Sequence, residues 1–341
     1  MNHLNVITLF SGYDSQALAL NRLGLPYDLA AWCEIDRHAI TAHNALFPQW
    51  KDRNLGDVSK VDWAEWHASH PQPIDLLTYS SPCQDFSSAG LQRGGEEGSG
   101  TRSGLLWETE RAVRELRPRH LVFENVGGLV SDKFIDLFNR WQARLNSYGY
   151  TNFQQLMNAK DYGVPQNRLR IFMVSILDCR RAYYFPKPFK LERRLKDVLE
   201  QNVEERYYLK EEQVAKLVSS IDKPIDDGKQ EMLGWTRDKE GNIIDRHPVS
   251  IANCVTAGKR DNTQNFVNEG GIRIRRLTER ELYRLMDVEE KDIDTLLNAP
   301  IPRTQHAKLA GNSIVVACLY YIFRNIFVAT EPEAGTQTKL F

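Results

Sequence analysis

Short apolar runs alternate with stretches of helical periodicity along the first half of the chain. Buried strands are predicted at Val6–Phe10, Leu29–Cys33, Ile74–Tyr79, Leu121–Phe123, Phe153–Met157 and Ile171–Ile176. Helices are predicted at Gln16–Leu23, Arg37–Phe47, Ser103–Leu116 and Phe134–Leu145. Because strands that alternate with helices form a mostly parallel sheet with helices on its faces, the pattern predicts an α/β fold.

The pattern changes at Tyr183–Pro188, where two prolines in an aromatic stretch mark a predicted hinge. From residue 191 to about residue 301 the chain is more polar and less periodic, which predicts a smaller, irregular second domain. Within it, Thr278 followed three residues later by Glu281 is the pattern of a capping box, so a helix is expected to begin there. A last apolar helix is predicted at Ile314–Val328, after a turn.

The 341 residues carry a formal net charge of −1, so nothing in the global charge points to nucleic acid. One interval differs, because residues 160–196 hold ten basic and three acidic side chains, a local charge of +7. Such a patch suits a DNA phosphate backbone. The alternative is a solvated face whose charge is balanced elsewhere in the fold.

Five cysteines are scattered along the chain, and no Cys-x-x-Cys pair occurs. This usage predicts neither a zinc cluster nor a disulfide framework, and it fits a reducing cytosol. The N-terminal residues lack the charged start and apolar core of a signal peptide, and no apolar run reaches membrane-spanning length. A cytoplasmic protein with no metal site and no membrane partner is therefore expected.

A thiol follows the third predicted strand. Pro82 stiffens the exit from that strand, and Cys83 then lies at the carboxyl end of the sheet, where open α/β sheets bind their ligands. This placement makes Cys83 a candidate nucleophile, although a free cysteine taken alone is more often a small buried hydrophobe. The glycine-rich run from Phe86 to Gly100 cannot form a stable helix or strand, and we interpret it as a lid rather than a passive loop.

A carboxylate and two arginines also lie at strand ends. Glu124 directly follows the strand Leu121–Phe123, and an apolar approach predicts that it is partly buried, which would raise its pKa. Arg168 and Arg170 precede the strand Ile171–Ile176. A thiol, a carboxylate and an arginine pair thus lie at the ends of three predicted strands.

The first strand, turn and helix form a unit that presents backbone N–H groups to an anionic or nucleotide ligand. In the turn Ser11–Ser15, Asp14 would repel an anionic ligand if it pointed towards it, and as a good N-cap it can instead begin the helix. Glu34 ends the second strand about twenty residues after the turn, a spacing that suits ribose hydroxyls. Asp57 lies in a Gly-Asp turn, which by itself is a weak signal.

Five motifs occur together, in this order: Phe10-Ser11-Gly12, Pro82-Cys83-Gln84, Glu124-Asn125-Val126, Gln166-Asn167-Arg168-Leu169-Arg170 and Gly311-Asn312-Ser313. In these motifs and their order the chain resembles the DNA (cytosine-5)-methyltransferase family of bacteria and phages, over nearly its whole length. The resemblance implies a Rossmann-like sheet that depends on S-adenosylmethionine, with a smaller target recognition domain. One departure is the turn, where Asp14 and Ser15 replace glycines that are usual in the family.

The resemblance also assigns roles by residue. It implies catalysis by Cys83, Glu124, Arg168 and Arg170. It implies substrate contacts by Gln84, Ser87, Asn125 and Gln166. It implies contacts to S-adenosylmethionine by Phe10, Ser11, Gly12, Tyr13, Asp14, Ser15, Glu34, Ile35, Asp57, Val58, Pro82, Leu105, Asn312 and Ser313. It implies a catalytic domain at 1–185 completed by 306–329, a target recognition domain at 186–305 and a flexible tail at 330–341.

The chemistry explains why these residue types are needed. Carbon 5 of cytosine is a weak nucleophile, and addition of the Cys83 thiolate to carbon 6 converts the ring to a reactive enamine. Glu124 would relieve charge at ring nitrogen 3, while Arg168 orients the base carbonyl and Arg170 supports it electrostatically. A base inside a duplex is out of reach, so the target cytosine must be flipped out.

Double-stranded DNA is the expected partner, with a cognate restriction endonuclease as a further one. The tail Gln337–Phe341 resembles the short Gln-x-x-Leu-Phe peptide by which bacterial proteins bind the replication sliding clamp, although chance explains so short a motif as well.

Three other functions share some of these sequence features. An RNA cytosine-5 methyltransferase would carry a Cys-Phe-Thr signature, which the sequence lacks. A non-catalytic DNA-binding protein of the same fold would not need Cys83, Glu124 and Arg168 together. A nicotinamide dehydrogenase would share the first strand, turn and helix, but it needs neither the Pro-Cys-Gln nor the late Gly-Asn-Ser.

Overall fold

The computed structural model describes residues 3–81, 105–218, 231–237, 243–257, 265–269 and 273–328. The strands are β1 Leu4–Leu9, β2 Tyr27–Cys33, β3 Leu76–Tyr79, β4 His120–Val126, β5 Tyr150–Asn158, β6 Gln166–Asn167, β7 Leu169–Leu177, β8 Glu231–Arg237, β9 Ile243–Val249, β10 Ala252–Asn253, β11 Phe266–Asn268 and β12 Ile274–Arg276. The helices are α1 Ser15–Leu23, α2 Arg37–Leu46, α3 Trp63–Ser69, α4 Leu106–Leu116, α5 Ile135–Ser147, α6 Glu211–Val218, α7 Glu279–Leu285, α8 Glu290–Asn298, α9 Arg303–Asn312 and α10 Val316–Phe327.

The chain divides into two compact units. The first takes the described residues of Met1–Met157, Leu169–Pro188 and Cys318–Phe341, and the second those of Asn158–Arg168 and Phe189–Ala317. Residues 158–168 and 306–317 therefore group with the second unit, whereas the expected catalytic domain included them. The division into catalytic and recognition domains stays a prediction.

A six-stranded sheet in the order β2-β1-β3-β4-β7-β5 forms the centre of the first unit. The strands β2, β1, β3 and β4 run parallel, and β7 pairs antiparallel with β4. The α/β fold predicted from the alternating pattern is confirmed. On one face of the sheet, Trp141 of α5 packs against Tyr79 of β3, and Trp107 of α4 packs against Trp141.

One predicted boundary is wrong in a way that matters for the site. The strand expected to end at Phe123 continues to Val126, so Glu124 and Asn125 lie within β4 and not after it. The reason is long-range, because β4 pairs with β7 from His120–Ile176 to Val126–Arg170. An apolar run shows only the fully buried part of a strand, and polar residues at its end still pair.

The second unit contains the four-stranded antiparallel sheet β12-β11-β8-β9 and the two-stranded sheet β10-β6. The predicted capping box is confirmed, since Thr278 Oγ1 accepts from Glu281 N and the Glu281 carboxylate accepts from Thr278 N. The same carboxylate receives two N–H bonds from Arg275, at 2.8 and 2.9 Å, and both side chains are fully buried.

The turn predicted at Gly311–Ser313 is wrong, because the structure has the end of a helix there. Gly311 and Asn312 are the last residues of α9, a helix that was not predicted, and Ser313 is its C-cap. Gly311 is required by close packing, because a Cβ there would lie 2.3–2.5 Å from backbone atoms of Thr256 and Ala257. Among the described residues one helical stretch, Arg303–Phe327, is long and apolar enough to cross a membrane, but 72% of its apolar window is buried, as in a core helix.

Gly311→Ala is expected to lower the free energy of unfolding by about 3 kcal/mol, because backbone must shift to admit the methyl group. Urea denaturation measures the change. The matched control is Gly127→Ala, where a Cβ meets only leucine side-chain atoms at 3.5 Å or more, and a loss below about 1 kcal/mol is expected. Equal losses in the two variants would contradict the close-packing explanation.

Candidate functional site

One row of paired residues crosses the sheet of the first unit and shows which residues lie at its carboxyl edge. The paired residues of this row are Cys33, Leu9, Tyr79, Phe123 and Met173. In the parallel strands the next residues are Glu34, Phe10, Ser80 and Glu124, which therefore lie side by side at the carboxyl edge of the sheet. At about 4.8 Å per strand, this edge spans roughly 14 Å from Glu34 to Glu124.

The turn after β1 has an unusual backbone. Phe10, Gly12 and Asp14 have φ values of 55°, 59° and 69°, the left-handed region that favours glycine. A Cβ at Gly12 would meet no atom of the described residues within 4 Å, so this part of the chain leaves space beside the turn. Asp14 is fully buried and accepts from Ala17 N at 3.0 Å, which confirms that it caps α1. Tyr13 and Ser15 are buried as well.

Glu34 is bonded to the turn. Its Oε2 accepts from Gly12 N at 2.9 Å, and its Oε1 accepts from Ile35 N and Asp36 N, both at 2.8 Å. A carboxylate offers about four acceptor positions, so Oε2 retains one for a ligand hydroxyl. Ile35 beside it is 70% exposed, a large apolar side chain left open at the same edge. A carboxylate next to an apolar surface fits the ribose and the ring of a nucleoside.

Asp57 and Val58 begin the short helix Val58–Lys60. Hydrogen bonds from the hydroxyl and the backbone N–H of Ser59 hold the pKa of Asp57 below its usual value, so this carboxylate is an acceptor at neutral pH. Val58 is buried in the core that contains Leu9 and Cys33. The predicted contact to an adenine amine therefore rests on the Asp57 side chain.

Glu124 and Arg170 form an ion pair at this edge. Arg170 lies opposite Val126 in the antiparallel β4–β7 pair, so Glu124 is its diagonal neighbour on the same face. Arg170 Nε lies 3.1 Å from Glu124 Oε1, and the two side chains are 16% and 10% exposed. The expected partial burial of Glu124 is confirmed, and its close cationic partner is Arg170.

Asn125 points to the opposite face and holds the exit of β3. Its Nδ2 donates to the carbonyl of Ser81 at 3.2 Å, with both residues nearly fully buried. Ser81 directly precedes Pro82 and Cys83 in the sequence. The predicted residues Pro82, Cys83, Gln84 and Ser87, together with the predicted lid, lie outside the described residues.

Another thiol at the same edge is a poor nucleophile. Cys33 ends β2 next to Glu34, and burial raises the pKa of its thiol to about 12, with the charges of Glu34 and Asp57 adding to the shift. The thiolate is the reactive form, so Cys33 is almost wholly in its inert form near neutral pH.

The structure gives Gln166 and Arg168 a different environment from the one expected. Both are buried in the second unit, where Gln166 donates to Leu285 O and accepts from Val255 N. Arg168 donates to the carbonyls of Val255, Gly311 and Ser313, the last at 2.6 Å. Their polar atoms thus join three separate segments of backbone, and the paired arginine of Glu124 is Arg170, not Arg168.

The other predicted contacts are spread between the units. Leu105 is the N-cap residue of α4 in the first unit, and it is only partly buried. Asn312 is exposed and Ser313 is buried, both in the second unit.

The predicted basic interval is only partly available to a ligand. Arg168 and Arg170 are bonded as described, and Arg193 pairs with Asp287 at 3.2 Å. The exposed basic residues of the interval are Arg180, Arg181, Lys187, Lys190, Arg194 and Lys196.

Two residues of the site were missed by sequence reasoning. His43 on α2 and Thr8 on β1 are fully buried and lie against Asp14, at 3.5 Å from His43 Nε2 to Oδ2 and 2.9 Å from Thr8 Oγ1 to Oδ2. Helical spacing held a signal for His43, because it follows Ala39 by four residues on the buried face of α2.

Comparison with known proteins identifies the family. The model of the C-5 cytosine-specific DNA methylase family matches residues 4–328. The type II methyltransferase M2.ScrFI of Lactococcus lactis subsp. cremoris is 31% identical over 95% of this chain and 99% of its own length. The orphan methyltransferase M.SssI of Spiroplasma monobiae is 32% identical over 83% of this chain and 72% of its own length.

Solved structures share the fold. The Dnmt2 methyltransferase of S. pombe superposes with a TM-score of 0.68 at 18% identity, over 94% of this chain and 97% of its own. The methyltransferase EhMeth of Entamoeba histolytica gives a TM-score of 0.68 at 15% identity, over 96% and 98%. With the family match over almost the whole sequence, the chain belongs to the C-5 cytosine-specific DNA methylases, enzymes that methylate carbon 5 of cytosine in DNA.

Proposed function

We propose that the chain methylates a flipped-out cytosine within a specific duplex sequence, using S-adenosylmethionine, with Cys83, Glu124 and Arg170 at the reacting base. The observation that carries the proposal is the Glu124–Arg170 pair, which lies one strand away from the end of β3 that leads to Cys83. A carboxyl held by a guanidinium beside a strand-end thiol is the constellation that cytosine-5 chemistry needs.

The donor side of the site is formed by the turn Phe10–Ser15, Glu34, Ile35 and Asp57. The free acceptor position of Glu34 fits a ribose hydroxyl, exposed Ile35 fits the face of the adenine, and Asp57 fits its exocyclic amine. Bound there, S-adenosylmethionine supplies a methyl group on a sulfonium sulfur. Asp14 acts through the turn and not by contact, because its side chain is fully buried and occupied in capping.

At the base, the electron pair of the Cys83 thiolate forms a bond to carbon 6, and the π electrons of the C5=C6 bond shift towards ring nitrogen 3, so the ring becomes an enamine whose carbon 5 is nucleophilic. Glu124 donates or shares a proton at ring nitrogen 3 and limits the charge that develops there. Arg170 holds the Glu124 carboxyl in place and supports the bound base electrostatically. After methylation, water accepts the carbon 5 proton, the electron pair of that C–H bond re-forms the C5=C6 double bond, and Cys83 leaves carbon 6 as the thiolate.

Arg168 has a different proposed role from the one the motif implied. Its guanidinium is occupied by backbone carbonyls, so we assign it, with Gln166, to positioning the start of β7 and the segment at Gly311–Ser313. Lysine is a poor substitute for Arg168, because an ammonium group cannot reproduce the fixed arrangement of guanidinium donors that reaches several carbonyls at once.

Duplex DNA is bound, in this proposal, by the exposed basic residues between Arg180 and Lys196 and by a recognition domain within 186–305. Base flipping then brings the cytosine to Glu124. The relatives are bacterial and phage proteins, which supports the proposal that the chain acts in the cytoplasm of a bacterial or phage-infected cell. A cognate endonuclease is not required for this activity.

Bisulfite sequencing of plasmid DNA from a host deficient in cytosine methylation tests the central proposal. Expression of the chain is expected to protect cytosines at one short motif from conversion, and Cys83→Ser is expected to abolish protection because the serine hydroxyl is too weak a nucleophile. Soluble wild-type protein without protected cytosines would overturn the DNA activity, and equal protection by Cys83→Ser would overturn the role of Cys83.

Matched lysine substitutions distinguish the proposed roles of Arg168 and Arg170. Arg170→Lys is expected to lower kcat about a hundredfold and the unfolding free energy by less than about 1 kcal/mol, because it keeps the charge and loses the geometry at Glu124. Arg168→Lys is expected to cost about 3 kcal/mol of stability through lost bonds to buried carbonyls. Urea denaturation and single-turnover methylation measure both, and the reverse pattern would exchange the proposed roles.

The proposed sliding-clamp contact concerns Gln337–Phe341, outside the described residues. Deletion of these five residues is expected to abolish binding to an immobilised bacterial clamp in surface plasmon resonance and to leave methylation of naked DNA unchanged. Unaltered clamp binding after the deletion would dispose of the contact.

A further inference from the structure

The turn after β1 is held by a buried polar cluster, Thr8–Asp14–His43. Asp14 Oδ1 accepts from Ala17 N, its Oδ2 accepts from Thr8 Oγ1, and His43 Nε2 lies 3.5 Å from the same Oδ2. Each of Thr8, Asp14 and His43 is fully buried. The cluster thus joins β1, the turn, α1 and α2 through one carboxylate.

The backbone of the turn needs such support. Phe10 and Asp14 are non-glycine residues at positive φ, a strained backbone conformation for a residue with a side chain. Conformations of this kind persist only where the surroundings over-determine them. At Asp14 the surroundings act on the side chain, which is fixed at both oxygens.

Burial of a carboxylate is costly unless cationic or hydrogen-bonding groups face it. His43 is the group placed to do so from α2. Its ring stacks on Trp32 with centroids 3.7 Å apart and 19° between the planes, and Trp32 Nε1 donates to Trp50 O at 2.9 Å. No described residue gives either ring nitrogen a hydrogen bond of standard geometry, and the 3.5 Å contact from Nε2 to Asp14 Oδ2 is at ion-pair distance.

We infer that His43 is a positioning residue that holds Asp14, and through it the turn Phe10–Ser15, in the conformation that binds S-adenosylmethionine. A glycine at position 14 would adopt positive φ without help, so this chain uses a carboxylate–imidazole pair for a task that glycine performs by lacking a side chain. The inference rests on the proposed binding of S-adenosylmethionine at this turn.

A matched pair of substitutions isolates the polar contact from packing. His43→Met fills a similar volume without a donor, and His43→Gln keeps a donor. His43→Met is expected to raise the Kd and the KM for S-adenosylmethionine about tenfold, with kcat and the KM for DNA within about threefold of wild type. His43→Gln is expected to keep all four constants within about threefold of wild type. Isothermal titration calorimetry and steady-state methylation measure them.

The double variant Asp14→Gly/His43→Met tests whether His43 acts through Asp14. It removes the buried carboxylate and supplies a residue that tolerates φ of 69°, so it is expected to bind S-adenosylmethionine at least about fivefold more tightly than His43→Met alone. Recovery in the double variant is a result that loss of packing against Trp32 would not produce.

The outcomes separate this inference from the function on which it rests. Wild-type protein that does not bind S-adenosylmethionine removes the basis of both. Wild-type binding with equal affinity in all variants overturns the role of His43 alone. If His43→Met is unfolded by circular dichroism, a folded, binding double variant supports the inference, and a double variant that is also unfolded overturns it in favour of packing.

Discussion

The antiparallel pairing of β4 with β7 is the constraint on which the candidate site depends. It extends β4 beyond its apolar core to Val126 and sets Arg170 diagonally opposite Glu124. A shift of one residue in this register would turn Arg170 to the other face of the sheet. The opposite face of β4 is used as well, since Asn125 holds the carbonyl of Ser81 at the exit of β3.

Parallel strands bring Glu34, Phe10 and Ser80 to the same edge as Glu124. The strand order of the first unit thus brings residues that are distant in sequence to one sheet edge. The arrangement of the candidate site follows from this strand order more than from any single motif. The two ends of the edge also differ in kind. Glu34 is satisfied by backbone N–H groups and lies beside an exposed isoleucine, whereas Glu124 is satisfied by a guanidinium.

Sequence reasoning predicted the alternating fold, the capping of α1 by Asp14 and the partial burial of Glu124, because each depends on local pattern or residue chemistry. It did not predict which arginine meets Glu124, since Arg168 and Arg170 differ only in the strand register that long-range pairing sets. Nor did it find His43, whose polar role exists only once α2 packs behind the turn. The helical end at Gly311 was missed because its glycine serves packing, not a turn.

The motif Gln166–Arg170 crosses the boundary between the compact units. Gln166 and Arg168 are anchored among backbone groups of the second unit, and Arg170 is bonded in the sheet of the first, with Leu169 alone between the two arginines. Besides its predicted contacts to substrate, the motif is therefore a short covalent connection between the two units. Any force on the backbone at Arg168 therefore reaches the guanidinium that is bonded to Glu124 through a single residue.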